Sequence, residues 1–238
     1  MYIWEEEVND MLNLQHVTAS YSGSKVLFGV DIEAKKGEIT CLVGRNGVGK
    51  STTIKSIMGL VSTPTGKITL DGKSIFKMPT YARAKAGIGY VPQGREIFPQ
   101  LTVRENILLG MEANKRIKEI PEHIFEIFPI LEEFLDRKGG DLSGGQQQQL
   151  AIARAIVSKP KVLILDEPTE GIQPSVIQEI GRTITKLKEQ MAVLMVEQYL
   201  EFVLEVSDQC YVMEKGRIFM KGKTQELDKR KLQEMLAM

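Results

Sequence analysis

Apolar residues recur along this chain with two different periods, and the switches between them divide it into elements. Residues 12–20 and 26–34 alternate apolar and polar positions on either side of the turn Tyr21-Ser22-Gly23-Ser24. A second turn, Lys35-Lys36-Gly37, leads into the apolar run Ile39-Thr40-Cys41-Leu42-Val43. Alternation bounded by turn residues predicts antiparallel strands feeding a third strand. Residues 66–73 repeat the pattern around Asp71-Gly72, a strong hairpin signal. Between them, residues 52–59 carry apolar positions at helical spacing and end on Gly59. A short helix over 78–86 and a strand over 87–92, stopped by Pro92, come next.

From Gly94 to Gly140 the period is helical, with one segment over 103–109 and broken ones over 121–135. A helix opening at Ser143 places Leu150, Ile152, Ala153, Ile156 and Val157 on one stripe and stops near Lys159-Pro160. The run Val162-Leu163-Ile164-Leu165 is continuously apolar and reads as a strand covered on both faces. A helix over 174–190, a buried strand over 193–196, a helix over 199–206, a hairpin around Glu214-Lys215-Gly216-Arg217 and an amphipathic helix over 224–237 complete the pattern. The order describes an α/β core with a small antiparallel sheet in its first third and a helical insertion in its middle. Residues 1–11 carry little pattern and read as an extension in which Trp4 packs on a neighbour.

Between the strand at 39–43 and the helix at 52–59 lies Gly44-Arg45-Asn46-Gly47-Val48-Gly49-Lys50-Ser51, a G-x-x-x-x-G-K-S sequence. Its glycines let the backbone curl with N–H groups inward, and the helix N-terminus adds partial positive charge. Lys50 is placed to reach β- and γ-phosphates, and the Ser51 hydroxyl to ligate Mg²⁺. A nucleoside triphosphate is the expected ligand.

Composition narrows the setting. Lysine plus arginine and aspartate plus glutamate both number 31, so no net field draws the chain of 238 residues to nucleic acid or a membrane surface. Cys41 and Cys210 each sit in an apolar run without metal-ligand spacing, the pattern of buried reduced thiols. No apolar run approaches the roughly 20 residues of a membrane helix, and the acidic start Glu5-Glu6-Glu7 is unlike a basic secretory signal. His16 and His123 are isolated and read as surface residues.

Hydrolysis of a phosphoanhydride needs a second acidic ligand for Mg²⁺ and a group that orients or deprotonates water. Asp166 and Glu167, at the carboxyl end of the strand over 162–165, stand where open α/β sheets place chemistry. Asp166 is assigned to Mg²⁺ and Glu167 to the water. Leu142-Ser143-Gly144-Gly145-Gln146 lies between the phosphate loop and this pair. In that order the motifs resemble the ATP-binding cassette (ABC) ATPases, from about Leu12 to Gly222. The resemblance implies a phosphate-loop α/β core with an N-terminal antiparallel β-subdomain and an inserted helical subdomain at about 94–157, in one domain spanning 12–238. It implies two cassettes sandwiching two ATP molecules, with Ser143, Gly144, Gly145 and Gln146 of one meeting the γ-phosphate held by the other. It further implies that Tyr21 stacks on adenine, that Thr52 joins Ser51 at the nucleotide, that Gln93 contacts Mg²⁺ and water, and that Gln198 senses the γ-phosphate.

Two positions depart from the family pattern. Glu197-Gln198 replaces the usual histidine, and Gly171-Ile172-Gln173 replaces alanine-leucine-aspartate, putting the intersubunit aspartate contact in doubt. Residues 91–103 and the glutamine at 198 resemble the cassettes that drive branched-chain amino acid uptake. Gln146-Gln147-Gln148-Gln149-Leu150 and residues 166–175 are most similar to the smaller ATPase subunit of bacterial urea importers. Urea uptake is therefore the expected task, and branched-chain amino acid uptake the alternative. The implied partners are a second cassette, either a sister subunit or a second copy, two integral-membrane permease subunits and an extracytoplasmic substrate-binding protein, with no nucleic acid. The implied place is the cytoplasmic face of the cell membrane, held there peripherally. Non-transport cassettes are disfavoured, since this chain has neither a coiled-coil or zinc insertion nor a second cassette. A phosphate-loop kinase would leave the signature and Glu167 without a task. Phe98, before Pro99, is expected on a loop tip that docks a permease helix, while Ile97 and Leu101 pack inward.

Overall fold

The computed structural model describes residues 10–21 and 23–237; Trp4 and Ser22 of the first predicted turn lie outside the described residues. β1 (Asp10–Tyr21) and β2 (Ser24–Lys35) pair antiparallel, with Leu14 opposite Ile32 and Ala19 opposite Leu27. β3 (Ile39–Val43) and α1 (Lys50–Met58) follow, and then β4 (Ser62–Leu70) and β5 (Lys73–Ser74) complete a four-stranded sheet of order β2-β1-β4-β5. After α2 (Thr80–Ala86) and β6 (Ile88–Val91) the chain is helical through α3 (Val103–Met111), α4 (His123–Ile127), α5 (Pro129–Glu133) and α6 (Gly144–Ile156). It returns through β7 (Val162–Asp166), α7 (Pro174–Leu187), β8 (Ala192–Glu197), α8 (Leu200–Val206), β9 (Gln209–Glu214), β10 (Arg217–Lys223) and α9 (Lys229–Ala237).

The second sheet has the order β10-β9-β3-β8-β7-β6, parallel from β9 to β6 with β10 antiparallel at one edge. Its central strands are apolar throughout because both faces are covered. Along β7, Val162 and Ile164 face the core shared with the antiparallel sheet and α1, whereas Leu163 and Leu165 face the helices α6, α7 and α8. β8 repeats the division, with Leu194 on the first face and Val193 and Met195 on the second.

Several expectations are refined. The extension expected over 1–11 overlaps β1, since Asp10 already pairs with Lys35. Tyr21 is the last residue of β1 and pairs with Ser24, the first of β2, so the predicted turn is the hairpin between them. The terminal helix is broken: a short 3₁₀ turn at Thr224–Glu226 precedes α9. Thr224 accounts for the break, because its buried hydroxyl bonds Ser207 at 2.9 Å and its N–H bonds the Asp208 carbonyl at 2.9 Å. β3, the strand that feeds the phosphate loop, sits inside the parallel sheet, which places Cys41 and Cys210 in register on adjacent strands, both buried and free.

This topology sets the carboxyl ends of β3, β8, β7 and β6 side by side. The phosphate loop follows β3, Gln198 follows β8, Asp166 ends β7 and Gln93 lies just past β6. Residues separated by more than 150 positions are thereby delivered to one rim of the sheet.

Candidate functional site

The loop after β3 folds back so that its own lysine is enclosed. Lys50 is buried, and its Nζ donates to the carbonyls of Gly44 at 2.7 Å and Arg45 at 2.9 Å. Burial pushes the ammonium below its ordinary value, opposed by Glu167, Asp166 and Glu197 in that order. Gly49 caps α1 with φ at 116°, and a side chain there would lie 2.9 Å from Leu27 Cδ2. Only glycine meets both conditions. Asn46, Gly47, Gly49, Lys50, Ser51, Thr52, Gln93 and Glu167 line a cavity of about 250 Å³.

Two carboxylates stand at the end of β7, Glu167 lining the cavity and Asp166 bonded to Ser51 behind it. Asp166, 3% exposed, accepts a hydrogen bond from Ser51 Oγ at 3.4 Å. Burial first, and then the charge of Glu167, push its carboxyl up to about 6. Glu167 adopts φ of 51°, a left-handed conformation that a non-glycine residue holds only where its surroundings fix it. Its N–H extends the sheet by donating to the Val196 carbonyl at 2.9 Å. Each carboxylate oxygen receives a side-chain amide: Gln93 Nε2 donates to Oε2 at 3.1 Å, and Gln198 Nε2 donates to Oε1. The phosphate loop, the two carboxylates and the two glutamines therefore form one constellation.

Other expected residues stand apart from it within the single chain. Ser143 caps α6 in a reciprocal box with Gln146: the Gln146 N–H reaches Ser143 Oγ at 3.4 Å, and Ser143 N–H reaches Gln146 Oε1 at 2.9 Å. Gly145 has a packing reason of its own, since a Cβ there would meet Val176 Cγ1 at 2.5 Å. Val48 packs against the core between the two sheets. Tyr21 is 42% exposed and is not among the residues lining the cavity. His16 is exposed beside Asp31, but His123 is half-buried, and burial lowers its imidazole; it lines a separate cavity of about 320 Å³ with Lys159 and Met191.

The loop after Gln93 is held by residues whose local sequence gives no sign of it. Arg95 Nη2 donates to the Glu170 carbonyl at 2.9 Å, just past Asp166 and Glu167, and its guanidinium packs on Gly144. Arg154 of α6 donates to the Glu96 carbonyl at 2.8 Å and lies 5.4 Å from the Phe98 ring centre. Fully buried Asn106 accepts from Phe98 N–H at 2.9 Å and donates to the carbonyls of Phe98 and Thr102 at 3.0 and 2.9 Å. These clamps leave Phe98 49% exposed, while Ile97 packs against the helical core.

Adjacent strand ends that bring together a buried lysine, a phosphate-binding turn and two carboxylates define a phosphate-loop nucleotide hydrolase. A family model described as ABC transporter matches residues 27–170, and the chain belongs to that family as an ATP-hydrolysing cassette. It is 40% identical over 221 residues to the probable branched-chain amino acid transport ATP-binding protein LivF of Archaeoglobus fulgidus, covering 91% of this chain and 94% of that protein. It is 39% identical over 213 residues to the high-affinity branched-chain amino acid transport ATP-binding protein BraG of Pseudomonas aeruginosa, covering 88% and 91%. Among solved structures, the dimeric post-hydrolysis state of an ATP-binding cassette bound to ADP and phosphate superposes with a TM-score of 0.80 at 26% identity, covering 91% of this chain and all of that one. Among the described residues no helix is long and apolar enough to cross a membrane.

Proposed function

We propose that this cassette drives the import of branched-chain amino acids, as one of two ATPase subunits held by membrane permeases at the cytoplasmic face. The names of the two relatives at 39–40% identity support that cargo over urea, so the alternative of the motif reading takes the lead. The carrying observation is the doubly bonded Glu167, which lines one cavity with Lys50 and Ser51, while Asp166 is joined to Ser51. Glu167 takes the proton of the attacking water, while the Gln93 and Gln198 amides hold its carboxylate in place. Lys50 draws the γ-phosphate toward the loop amides. Ser51, Gln93 and Asp166 suit Mg²⁺, because they offer hard oxygen donors around a buried carboxylate that lacks a full counter-charge. The cation would supply Lewis-acid polarisation of the phosphates when bound. Ser143 and the amides of Gly144, Gly145 and Gln146 meet the nucleotide of the partner cassette, and Tyr21 stacks on adenine.

Gln198 makes the γ-phosphate contact insensitive to protons, since an amide does not titrate. Replacing Gln198 with histidine should add a titration of hydrolysis between about pH 6 and 8. Rate profiles of both proteins check this; a wild-type titration in that window that survives Gln198→Ala assigns it elsewhere.

Coupling is placed at Phe98, which with Leu109, Arg154 and Tyr90 lines an open groove of about 350 Å³. Truncation of a central interface aromatic typically costs about 2 kcal/mol or more of binding. Phe98→Ala is therefore expected to retain ATP binding and melting temperature yet uncouple transport. Proteoliposomes holding the cassettes and permeases test both parts together: ATP-dependent leucine uptake is expected from wild type and not from Phe98→Ala. Urea uptake without leucine uptake would reverse the assignment of cargo.

A further inference from the structure

Glu197 ends β8 beside the catalytic turn, and none of the roles above uses it. It is 3% exposed, and four donors converge on its carboxylate. Oε1 accepts from the N–H groups of Gln198 at 2.8 Å and Tyr199 at 3.2 Å. Oε2 accepts from Thr169, from its N–H at 3.3 Å and its hydroxyl at 2.8 Å. One oxygen thus holds the turn carrying Gln198, and the other holds the segment two residues past Glu167. The register explains the reach: β7 and β8 are neighbours, with Asp166 opposite Val196, so both turns leave the sheet at the same level.

The donor set also specifies the chemistry. Three of the four donors are backbone N–H groups, which cannot accept a hydrogen bond in return. Only a group that accepts through both ends satisfies them, and a carboxyl group is the side chain that does so; burial raises it above the ordinary range, and these same donors oppose that rise. A glutamine would turn its NH₂ toward one of the two turns and leave at least one buried N–H unpartnered. Burying a carboxylate is costly unless it is fully bonded, so packing alone gives no reason for one here.

We propose that Glu197 is a positioning residue for hydrolysis: by tying the Thr169 segment to the Gln198 turn, it fixes the Glu167 carboxylate between its amide partners. The proposal rests on the water-activating role assigned to Glu167. Removing the outer partner that orients a metal ligand typically costs about ten- to a hundredfold in activity, and the same range is taken for this positioning role. Glu197→Gln in the full chain is expected to lower kcat for ATP in that range, with KM for ATP within about threefold of wild type. Glu197→Asp, which keeps the acceptors but shortens the reach, should fall between the two. In a Glu167→Gln background, Glu197→Gln should cause no further loss, because the group it positions is gone. Thr169→Val, which removes a single donor, should lower kcat without changing nucleotide affinity and serves where Glu197→Gln does not fold. Wild-type kcat in Glu197→Gln or in Thr169→Val, an additive loss in the double variant, or a fall in ATP affinity equal to the fall in kcat would each overturn the proposal. Full turnover in Glu167→Gln alone would instead overturn the functional reading, and the route through Glu167 with it.

Discussion

Glutamine at position 167 is expected to lower ATP hydrolysis by about a hundred- to ten-thousandfold, the contribution of a positioned general base, while ATP still binds. Binding survives because Lys50 and the loop amides are untouched, and Asp166 keeps its contact with Ser51. The structure adds a second reason for the loss. Both carboxylate oxygens of Glu167 accept amide hydrogens, from Gln93 and from Gln198. A glutamine has one acceptor oxygen, so one of those amides would have to turn over and present its own oxygen to the new NH₂. The variant therefore loses the base and reverses one of the hydrogen bonds that hold it. Single-turnover hydrolysis and nucleotide binding measured on the same preparation check the pair of outcomes; a wild-type rate would remove Glu167 from the mechanism.

Asparagine at position 166 should separate stability from activity. The Asp166 carboxyl is raised from the ordinary 3.8 to about 6, so the folded state prefers it protonated. Folding then takes up a proton in the window from about pH 4 to 6, and stability falls as pH rises through it, reaching its lower level above pH 6. The difference corresponds to roughly 3 kcal/mol at neutral pH, a penalty that a neutral asparagine does not incur. Asp166→Asn is expected to melt higher than wild type at pH 7.5 without nucleotide, and to lose most of the stability change between pH 4 and 6. Hydrolysis supported by Mg²⁺ should collapse in the same protein. Thermal melts across this range check it, and a variant that melts no higher than wild type at pH 7.5 would show that the buried charge carries no such penalty.

Legibility in the sequence followed the distance over which each feature is encoded. The phosphate loop is contiguous, and strand and helix flank it in the linear pattern, so its geometry could be read directly. The apolar run at 162–165 gave away a strand covered on both faces, because neither face had polar positions to spare. Asp166 and Glu167 followed from standing at its end. The placement of β3 between β8 and β9 was not readable, since strand order is set by pairings across more than 150 residues. Arg95, Asn106 and Arg154 were missed for a related reason: their partners are backbone carbonyls and amides, which leave no mark in side-chain pattern. Glu197 was visible only as the residue beside an unusual glutamine. Its weight comes from Thr169, 28 positions away, reached across two strand ends.

The strand order also governs when this protein becomes competent during its synthesis. β8 lies between β3 and β7, so the two strands that carry the phosphate loop and the acidic pair are joined in one sheet only when residues 192–197 are in place between them. A chain emerging from the ribosome can close its antiparallel sheet once β5 is made, since all four strands lie within the first 74 residues. The parallel sheet must wait for nearly the whole polypeptide, and its long-range closure is the slow kind of folding step. Until then β3 and β7 each lack the strand that pairs with both of them. A nascent cassette stalled before Ala192 thus holds its phosphate loop and its acidic pair on strands not yet joined through β8.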